Sequence, residues 1–297
     1  DYIDEFEYYY GELAEDLCEA GDKEWARRIY KIVEDKIIYI GDHYYINLAE
    51  DLCNYLGDKE WAKKIYKKAE ETSDLRELAS SIFENLGDKE WARKIYDKAI
   101  ERGDGIDFLI ADDIYEKLGD KEGATRLYKK AEKKAKECSD FSDLAESIHE
   151  KLGDKEWATR LYKKAEKKAD EYELTSLAES IQEKLGDKDW AKKIYKKAEK
   201  KFKDYSDLSS LADSLFELGD KEWATRLYKK SEGKAETSDD FRSLGDSVYI
   251  NLGDKEWAKE IYKKAEGKAE TSYDFDSLAS SIKELGDKKW AKLVGQK

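Results

Sequence analysis

Histidine and cysteine side chains are the usual candidates for catalysis or metal binding, and this chain has few of them. His43 and His149 are the only histidines among 297 residues. Neither is accompanied by an HExxH sequence or by a cysteine at metal-ligand spacing. The glycine-rich phosphate-binding sequences GxGxxG and GxxxxGKS/T are also missing from the sequence. We therefore expect a non-catalytic protein that binds no metal and no cofactor.

Carboxylates, in contrast, recur at a regular spacing. Five pairs stand four residues apart: Glu15 and Glu19, Asp112 and Glu116, Glu146 and Glu150, Glu179 and Glu183, and Asp213 and Glu217. On one helix, like charges at that spacing are destabilising by about 0.2–0.5 kcal/mol per pair. A cationic partner that offsets this cost would explain the pattern. The pairs therefore predict an acidic surface that binds a basic peptide or protein segment.

One position between these carboxylates varies along the chain. Its occupants are Cys18, Cys53, Phe83, Tyr115, His149, Gln182, Phe216, Tyr249 and Lys283. We call this set the variable column. Variation within an otherwise repetitive surface is typical of contact with an extended partner, so Tyr115, His149, Phe216 and Tyr249 join the carboxylates in the candidate site. The alternative is that duplication copied one solvated acidic face, on which an unconstrained position drifted.

Composition narrows the class of partner. The 56 basic and 70 acidic residues give a net charge of -14, which disfavours a general nucleic-acid-binding role. No apolar run approaches the roughly 18 residues that a membrane span requires. Cys18, Cys53 and Cys138 are too few and too far apart for a disulfide framework and assign no cellular compartment. A protein or peptide is the partner class that remains.

A short repeated sequence shows which elements position these residues. A Gly-Asp-Lys sequence occurs nine times, most often within LGDKEWA, at intervals of 30 to 36 residues. Its glycines are Gly21, Gly57, Gly87, Gly119, Gly153, Gly186, Gly219, Gly253 and Gly286. A period near 33 residues is typical of stacked helical repeats. We therefore interpret residues 1–297 as one array of nine repeats, numbered here by these glycines.

Residues 139–168 illustrate one repeat. Its apolar residues follow two stripes of helical period, namely Phe141, Leu144, Ala145, Ile148 and Leu152, then Trp157, Ala158, Leu161, Tyr162 and Ala165. Gly153 is suited to end the first helix in the left-handed conformation, and Asp154 to cap the second. Such a tight joint makes the two helices antiparallel neighbours. The tryptophan, present in eight repeats and replaced by Gly123 in repeat 4, is expected to pack between successive helix pairs.

The spacing G-D-x-x-x-A-x-x-x-Y-x-x-A, as in Gly153, Asp154, Ala158, Tyr162 and Ala165, resembles the second half of a tetratricopeptide repeat. The resemblance covers nearly the whole chain. This sequence departs from it in lacking proline, in adding the tryptophan, and in carrying one extra residue before the glycine in six repeats. The resemblance implies an all-α, right-handed α-solenoid whose first helices line a concave groove that binds a protein segment.

Two function hypotheses follow. The first is a protein-interaction scaffold with an acidic groove formed by Asp112, Glu116, Glu146, Glu150, Glu179, Glu183, Asp213 and Glu217 and by Tyr115, His149, Phe216 and Tyr249. The second is a structural subunit that self-assembles into a filament or lattice, because acidic first helices and basic second helices are complementary in charge. Light scattering over a concentration series distinguishes a monomer from a polymer.

Overall fold

The computed structural model describes residues 2–40, 44–71, 74–103 and 107–297, and within these ranges it contains helices and turns but no β-strand. The first helices of repeats 1 to 9 are α1 (Tyr2–Glu19), α3 (Tyr44–Asp51), α5 (Leu75–Leu86), α7 (Asp107–Asp113), α9 (Cys138–Ser147), α11 (Glu173–Ser180), α13 (Tyr205–Glu217), α15 (Ser238–Ser247) and α17 (Ser272–Leu285). The second helices are α2 (Lys23–Ile40), α4 (Lys59–Ala69), α6 (Lys89–Arg102), α8 (Lys121–Lys134), α10 (Lys155–Lys168), α12 (Lys188–Lys201), α14 (Lys221–Glu232), α16 (Lys255–Lys268) and α18 (Lys288–Val294). The predicted all-α fold of stacked helix pairs is confirmed.

The joints have the predicted geometry. Gly186 ends the first helix of repeat 6 at φ +70°, a left-handed conformation that glycine adopts without steric cost. The carboxylate of Asp187 then accepts the backbone N–H of Trp190 at 2.9 Å and so caps the second helix. One residue therefore stops a helix and the next residue starts another.

The extra residue found in six repeats is absorbed as a π turn. Five of those six first helices end in such a turn: Leu52–Leu56, Ile114–Leu118, Ile148–Leu152, Ile181–Leu185 and Val248–Leu252. The sixth, in repeat 3, stays α-helical up to Leu86. A π turn widens the helix locally by one residue. The inserted residue therefore bulges, and the apolar stripe before it keeps its register with the joint after it.

The core lies between the two helices of each pair. In repeats 2 to 8, small residues and one tyrosine of the second helix are buried together with leucines and isoleucines of the first. The tyrosines Tyr30, Tyr66, Tyr96, Tyr128, Tyr162, Tyr195, Tyr228 and Tyr262 are all fully buried. Because a lone helix pair cannot cover both apolar stripes, this burial depends on stacking.

The chain forms two compact units. The first comprises Asp1–Ala135 with Ser147–Asp154, and the second comprises Lys136–Glu146 with Lys155–Lys297. Each unit has its own tyrosine-rich core, with Tyr66 in the first and Tyr195 in the second. A single array over residues 1–297 stays a prediction, as does its right-handed twist. No described helix is both long enough and apolar enough to cross a membrane.

Gly123 lies buried near the start of α8. A Cβ atom built at this position would lie 2.2 Å from the Asp120 carboxylate and 3.2 Å from the guanidinium of Arg93. Arg93, from repeat 3, forms an ion pair with Asp120. The space beside the Cα atom of Gly123 is therefore occupied by this ion pair and not by an indole ring.

Candidate functional site

The structure separates the two predicted carboxylate positions by their exposure. We term the first position the inner carboxylates: Glu15, Glu50, Asp112, Glu146, Glu179, Asp213 and Asp246. All of them except Glu179 are half-buried. We term the second position the outer carboxylates: Glu19, Glu84, Glu116, Glu150, Glu183, Glu217 and Glu284. Every member of this second set is exposed.

Inner carboxylates accept hydrogen bonds from the buried tyrosine of the second helix in the same repeat. Asp213 accepts a hydrogen bond from the buried Tyr228 hydroxyl at 2.5 Å and another from the Asn251 amide at 2.8 Å. In repeat 4, Asp112 accepts the hydroxyl of Tyr128. Burial raises the pKa of Asp213 above its usual range, and the tyrosine hydrogen bond partly opposes that rise. These acids are therefore internal hydrogen-bond acceptors.

The same acids link successive first helices. The Ser81 hydroxyl donates to Glu50 at 2.6 Å, Ser147 donates to Asp112 at 3.0 Å, and Ser214 donates to Glu179 at 2.7 Å. In each case the serine stands one residue after the inner position of the next repeat. Our sequence interpretation missed these links, although the recurring serine was visible as a signal.

Lysines of the following repeat compensate several carboxylates. Lys151 lies 2.5 Å from Glu116, and Lys117 pairs with Glu84. In the second unit, Lys184 lies 2.6 Å from Glu146. Each lysine follows the outer position of its repeat by one residue. Neighbouring repeats therefore offset part of the like-charge cost on the first helices.

The variable column lies beside the joints. Tyr115, His149, Gln182 and Tyr249 each occupy the second position of a π turn and are half-buried. Lys255, the first residue of α16, lies 5.6 Å from the ring centre of Tyr249, and Lys221 lies 5.4 Å from that of Phe216. His43, the other histidine, falls outside the described residues.

In the second unit, the outer position combines charge with one apolar residue. Glu183, Glu217 and Glu284 are exposed there, and Ile250 replaces the carboxylate in repeat 8 with 72% of its surface exposed. Phe216 and Tyr249 directly precede Glu217 and Ile250 in the chain. This surface therefore offers negative charge next to apolar area.

The tryptophans form a second regular contact, on the second helices. The Trp190 indole donates to Glu166 at 2.8 Å, and Lys197 pairs with the same carboxylate at 2.5 Å. Equivalent indole bonds join Trp61 to Glu34, Trp91 to Glu70, Trp223 to Glu199, Trp257 to Glu232 and Trp290 to Glu266. Packing between helix pairs is thus confirmed for these six residues.

For Trp25 the packing prediction is wrong. Its side chain is 54% exposed, whereas Trp223 is only 7% exposed. The guanidinium carbon of Arg28, on the same helix, lies 5.8 Å from the centre of the Trp25 ring.

Asp51 directly follows the inner carboxylate Glu50 and has a strongly raised pKa. Burial, together with the charges of Glu15 and Glu50, raises its pKa from 3.8 to about 7. The equivalent residue of repeat 4, Asp113, has Arg76 at 2.7 Å as a partner. Because charging a buried and uncompensated acid disfavours the folded state, Asp51 lowers stability progressively as the pH rises from about 4 to 7.

We expect Asp51→Ser to raise the free energy of unfolding by about 1–2 kcal/mol at pH 8 and to change it much less at pH 4. Serine removes the charge. It is also the residue type at the equivalent position of repeat 3, where the Ser81 hydroxyl donates a hydrogen bond to Glu50. Denaturant unfolding at both pH values measures the effect. As a control, Asp113→Ser removes a charge that Arg76 partly compensates, so the gain in the free energy of unfolding at pH 8 should be smaller than for Asp51→Ser. A gain that is equal at both pH values would contradict the assignment.

No group of three or more histidine, cysteine or acidic side chains in the described ranges is arranged to hold a metal ion.

Comparison with protein-family models identifies one part of the chain. Residues 244–267 match the family model of the tetratricopeptide repeat. Among solved structures, the chain is similar to a tetratricopeptide repeat protein from Parabacteroides merdae, with 16% identity, 98% of both chains covered and a TM-score of 0.31. It is also similar to a circular tandem repeat protein with novel repeat topology and enhanced subunit contact surfaces, with 22% identity, 97% of this chain and 55% of that chain covered, and a TM-score of 0.11. No curated protein matches the chain. The matched residues 244–267 span the end of α15, the π turn Val248–Leu252 and most of α16, so this helix pair is tetratricopeptide-like.

Proposed function

We propose that this tetratricopeptide-like repeat protein is a non-catalytic interaction scaffold that binds a cationic peptide or protein segment along its outer carboxylates. The exposure pattern carries the proposal. The inner carboxylates are mostly half-buried and several bond within the fold, whereas Glu183, Glu217 and Glu284 are exposed. Of the predicted groove, the outer position is thus the part most accessible to a ligand.

The chemistry of this surface suits a basic segment that also carries apolar residues. Glu183 and Glu217 would attract lysine and arginine side chains, because the fields of like charges add over a surface. Ile250, with 72% of its surface exposed, would contact an apolar residue of the same segment. Exposed charges are screened beyond about 8 Å at physiological salt. The charged part of the affinity should therefore decrease with salt, and the apolar part should persist.

We expect Glu183→Gln with Glu217→Gln to weaken binding of a labelled Lys/Arg-rich peptide about fivefold to thirtyfold at low salt. Loss of two exposed charge contacts, each of about 0.5–1 kcal/mol, gives this range. Fluorescence anisotropy at low and moderate salt measures the affinity, with an Asp/Glu-rich peptide of equal length as the comparison.

A matched control is Glu222→Gln with Glu256→Gln, which removes two exposed charges from second helices. This control should bind the basic peptide like the parent protein. Equal affinity for the basic and acidic peptides, or equal losses in both double variants, would overturn the proposal.

The second candidate function is self-assembly, which the exposed face of α2 favours. Trp25 and Ile32 lie seven residues apart on this helix and are 54% and 41% exposed. In repeats 2, 3, 6, 7, 8 and 9 the equivalent tryptophan donates its indole N–H to a glutamate of the preceding helix pair. Light scattering over a concentration series tests this: growth that Trp25→Ala suppresses supports a subunit, and a constant monomer mass excludes it.

A further inference from the structure

An open cleft of about 600 Å³ lies on the second-helix side of repeats 6 and 7. Five lysines line it, with one glutamate and one aromatic ring: Lys196, Lys200, Lys203, Lys230, Lys234, Glu199 and Phe202. Phe202 is only 7% exposed and forms the apolar floor. This concentration of positive charge stands out in a chain whose net charge is -14.

Glu199 does not compensate these lysines, because it already has two other partners. It accepts the Trp223 indole at 2.9 Å and forms an ion pair with Arg226 at 3.0 Å. In the neighbouring repeats the equivalent glutamates bind a lysine at the Lys230 position: Lys197 pairs with Glu166, and Lys264 pairs with Glu232. Arg226 has therefore displaced Lys230 from its usual carboxylate.

The aromatic residue and the lysine at positions 202 and 203 are a second departure from repeats 5, 7 and 8, although repeat 4 also has a lysine, Lys136, at the second of these positions. The dipeptide at these positions is Phe202-Lys203 in repeat 6, whereas the equivalent dipeptides of repeats 5, 7 and 8 are Ala169-Asp170, Ala235-Glu236 and Ala269-Glu270. Relative to repeats 5, 7 and 8, repeat 6 therefore has a lysine in place of an acidic residue and a phenylalanine in place of an alanine. Within the described chain, Lys200, Lys203, Lys230 and Lys234 form no ion pair.

We propose that this cleft binds an acidic peptide segment, with an apolar side chain on Phe202 and carboxylates on the surrounding lysines. Lysine is a compact charge on a flexible stem, and no arginine fork lines the cleft. Such a lining fits several separate carboxylates better than the fixed bidentate geometry of a phosphate group. The scaffold would then carry two sites of opposite charge preference, the outer carboxylates and this lysine cleft.

The test is fluorescence anisotropy with a labelled Asp/Glu-rich peptide that contains one central phenylalanine. Lys203→Glu restores the charge found in the neighbouring repeats and should weaken binding about tenfold at low salt, because like charges then face the ligand. Phe202→Ala, the residue type of those repeats, should weaken the salt-resistant part. Binding of the Lys/Arg-rich peptide should not change in either variant, so this site fails or succeeds independently of the outer carboxylates.

The control is Lys268→Glu, a charge reversal in repeat 8. Lys268 occupies the position that Lys234 has in repeat 7, but there Ala235 takes the place of Phe202. It should leave the affinity unchanged, and thermal unfolding of all three variants reports whether they fold. Equal losses in Lys203→Glu and Lys268→Glu, or no measurable binding of the acidic peptide by the parent protein, would overturn the proposal. Binding of tripolyphosphate but not of the peptide would overturn the assignment to a peptide.

Discussion

Replacing Trp223 by alanine is expected to destabilise repeats 6 and 7 by about 3–5 kcal/mol, the range for large-to-small changes at buried aromatic sites. The side chain is 7% exposed, and its indole N–H donates to Glu199 at 2.9 Å. Alanine leaves a cavity between two helix pairs and removes that donor. Amide hydrogen exchange of α12 and α14 measures the loss where it occurs.

Trp25→Ala is the matched control, because the same residue type at the same repeat position is 54% exposed. We expect a change of about 0.5 kcal/mol or less, as for most surface substitutions. A Trp223→Phe variant keeps most of the apolar area and loses the donor, so its effect should lie between the two. If Trp223→Ala and Trp25→Ala cost the same, the contact between helix pairs does not stabilise the array.

Asp213→Ala is expected to lower the free energy of unfolding by about 2–4 kcal/mol, because it leaves the buried Tyr228 hydroxyl without its acceptor and removes one of the two acceptors of the Asn251 amide. An unsatisfied buried polar group costs about 1–3 kcal/mol. The two bonds have lengths of 2.5 and 2.8 Å. Denaturant unfolding measures the change, and hydrogen exchange in α13 to α16 locates it.

Glu217→Ala tests whether this cost belongs to the inner position. Glu217 stands four residues after Asp213 on the first helix of repeat 7 and is exposed. Its removal should change stability by no more than about 0.5 kcal/mol. Asp213→Asn keeps one acceptor oxygen and should cost less than Asp213→Ala. Similar losses in Asp213→Ala and Glu217→Ala would remove the structural distinction between inner and outer carboxylates.

Much of the local structure could be predicted from the sequence, because its causes lie within a few residues. Gly186 and Asp187 end one helix and cap the next with their own backbone conformation and carboxylate. The apolar stripes fix which face of each helix is buried. The π turns have a local cause too, since five of the six repeats with an extra residue contain one, although only the structure showed how that residue is accommodated.

The candidate site could be predicted only in part. Asp213 and Glu217 are both acidic, lie on the same helix and recur along the chain, so the sequence treats them alike. Their roles differ because Asn251 comes from the next repeat, 38 residues along the chain. Likewise, the basic cleft depends on Arg226 reaching Glu199, which is a contact 27 residues apart. The position of a residue within one repeat therefore does not predict which side chain of the next repeat will contact it.

The sequence by itself therefore determined the repeats, the helix ends, the apolar faces and the acidic character, since helix periodicity, capping and net charge are local or additive properties. The tertiary structure alone decided which carboxylates are exposed and which lysines form no ion pair. It also decided that Trp25 is exposed whereas Trp223 is buried. Those outcomes depend on burial and on hydrogen bonds between adjacent repeats. Both arise only when one helix pair stacks on another.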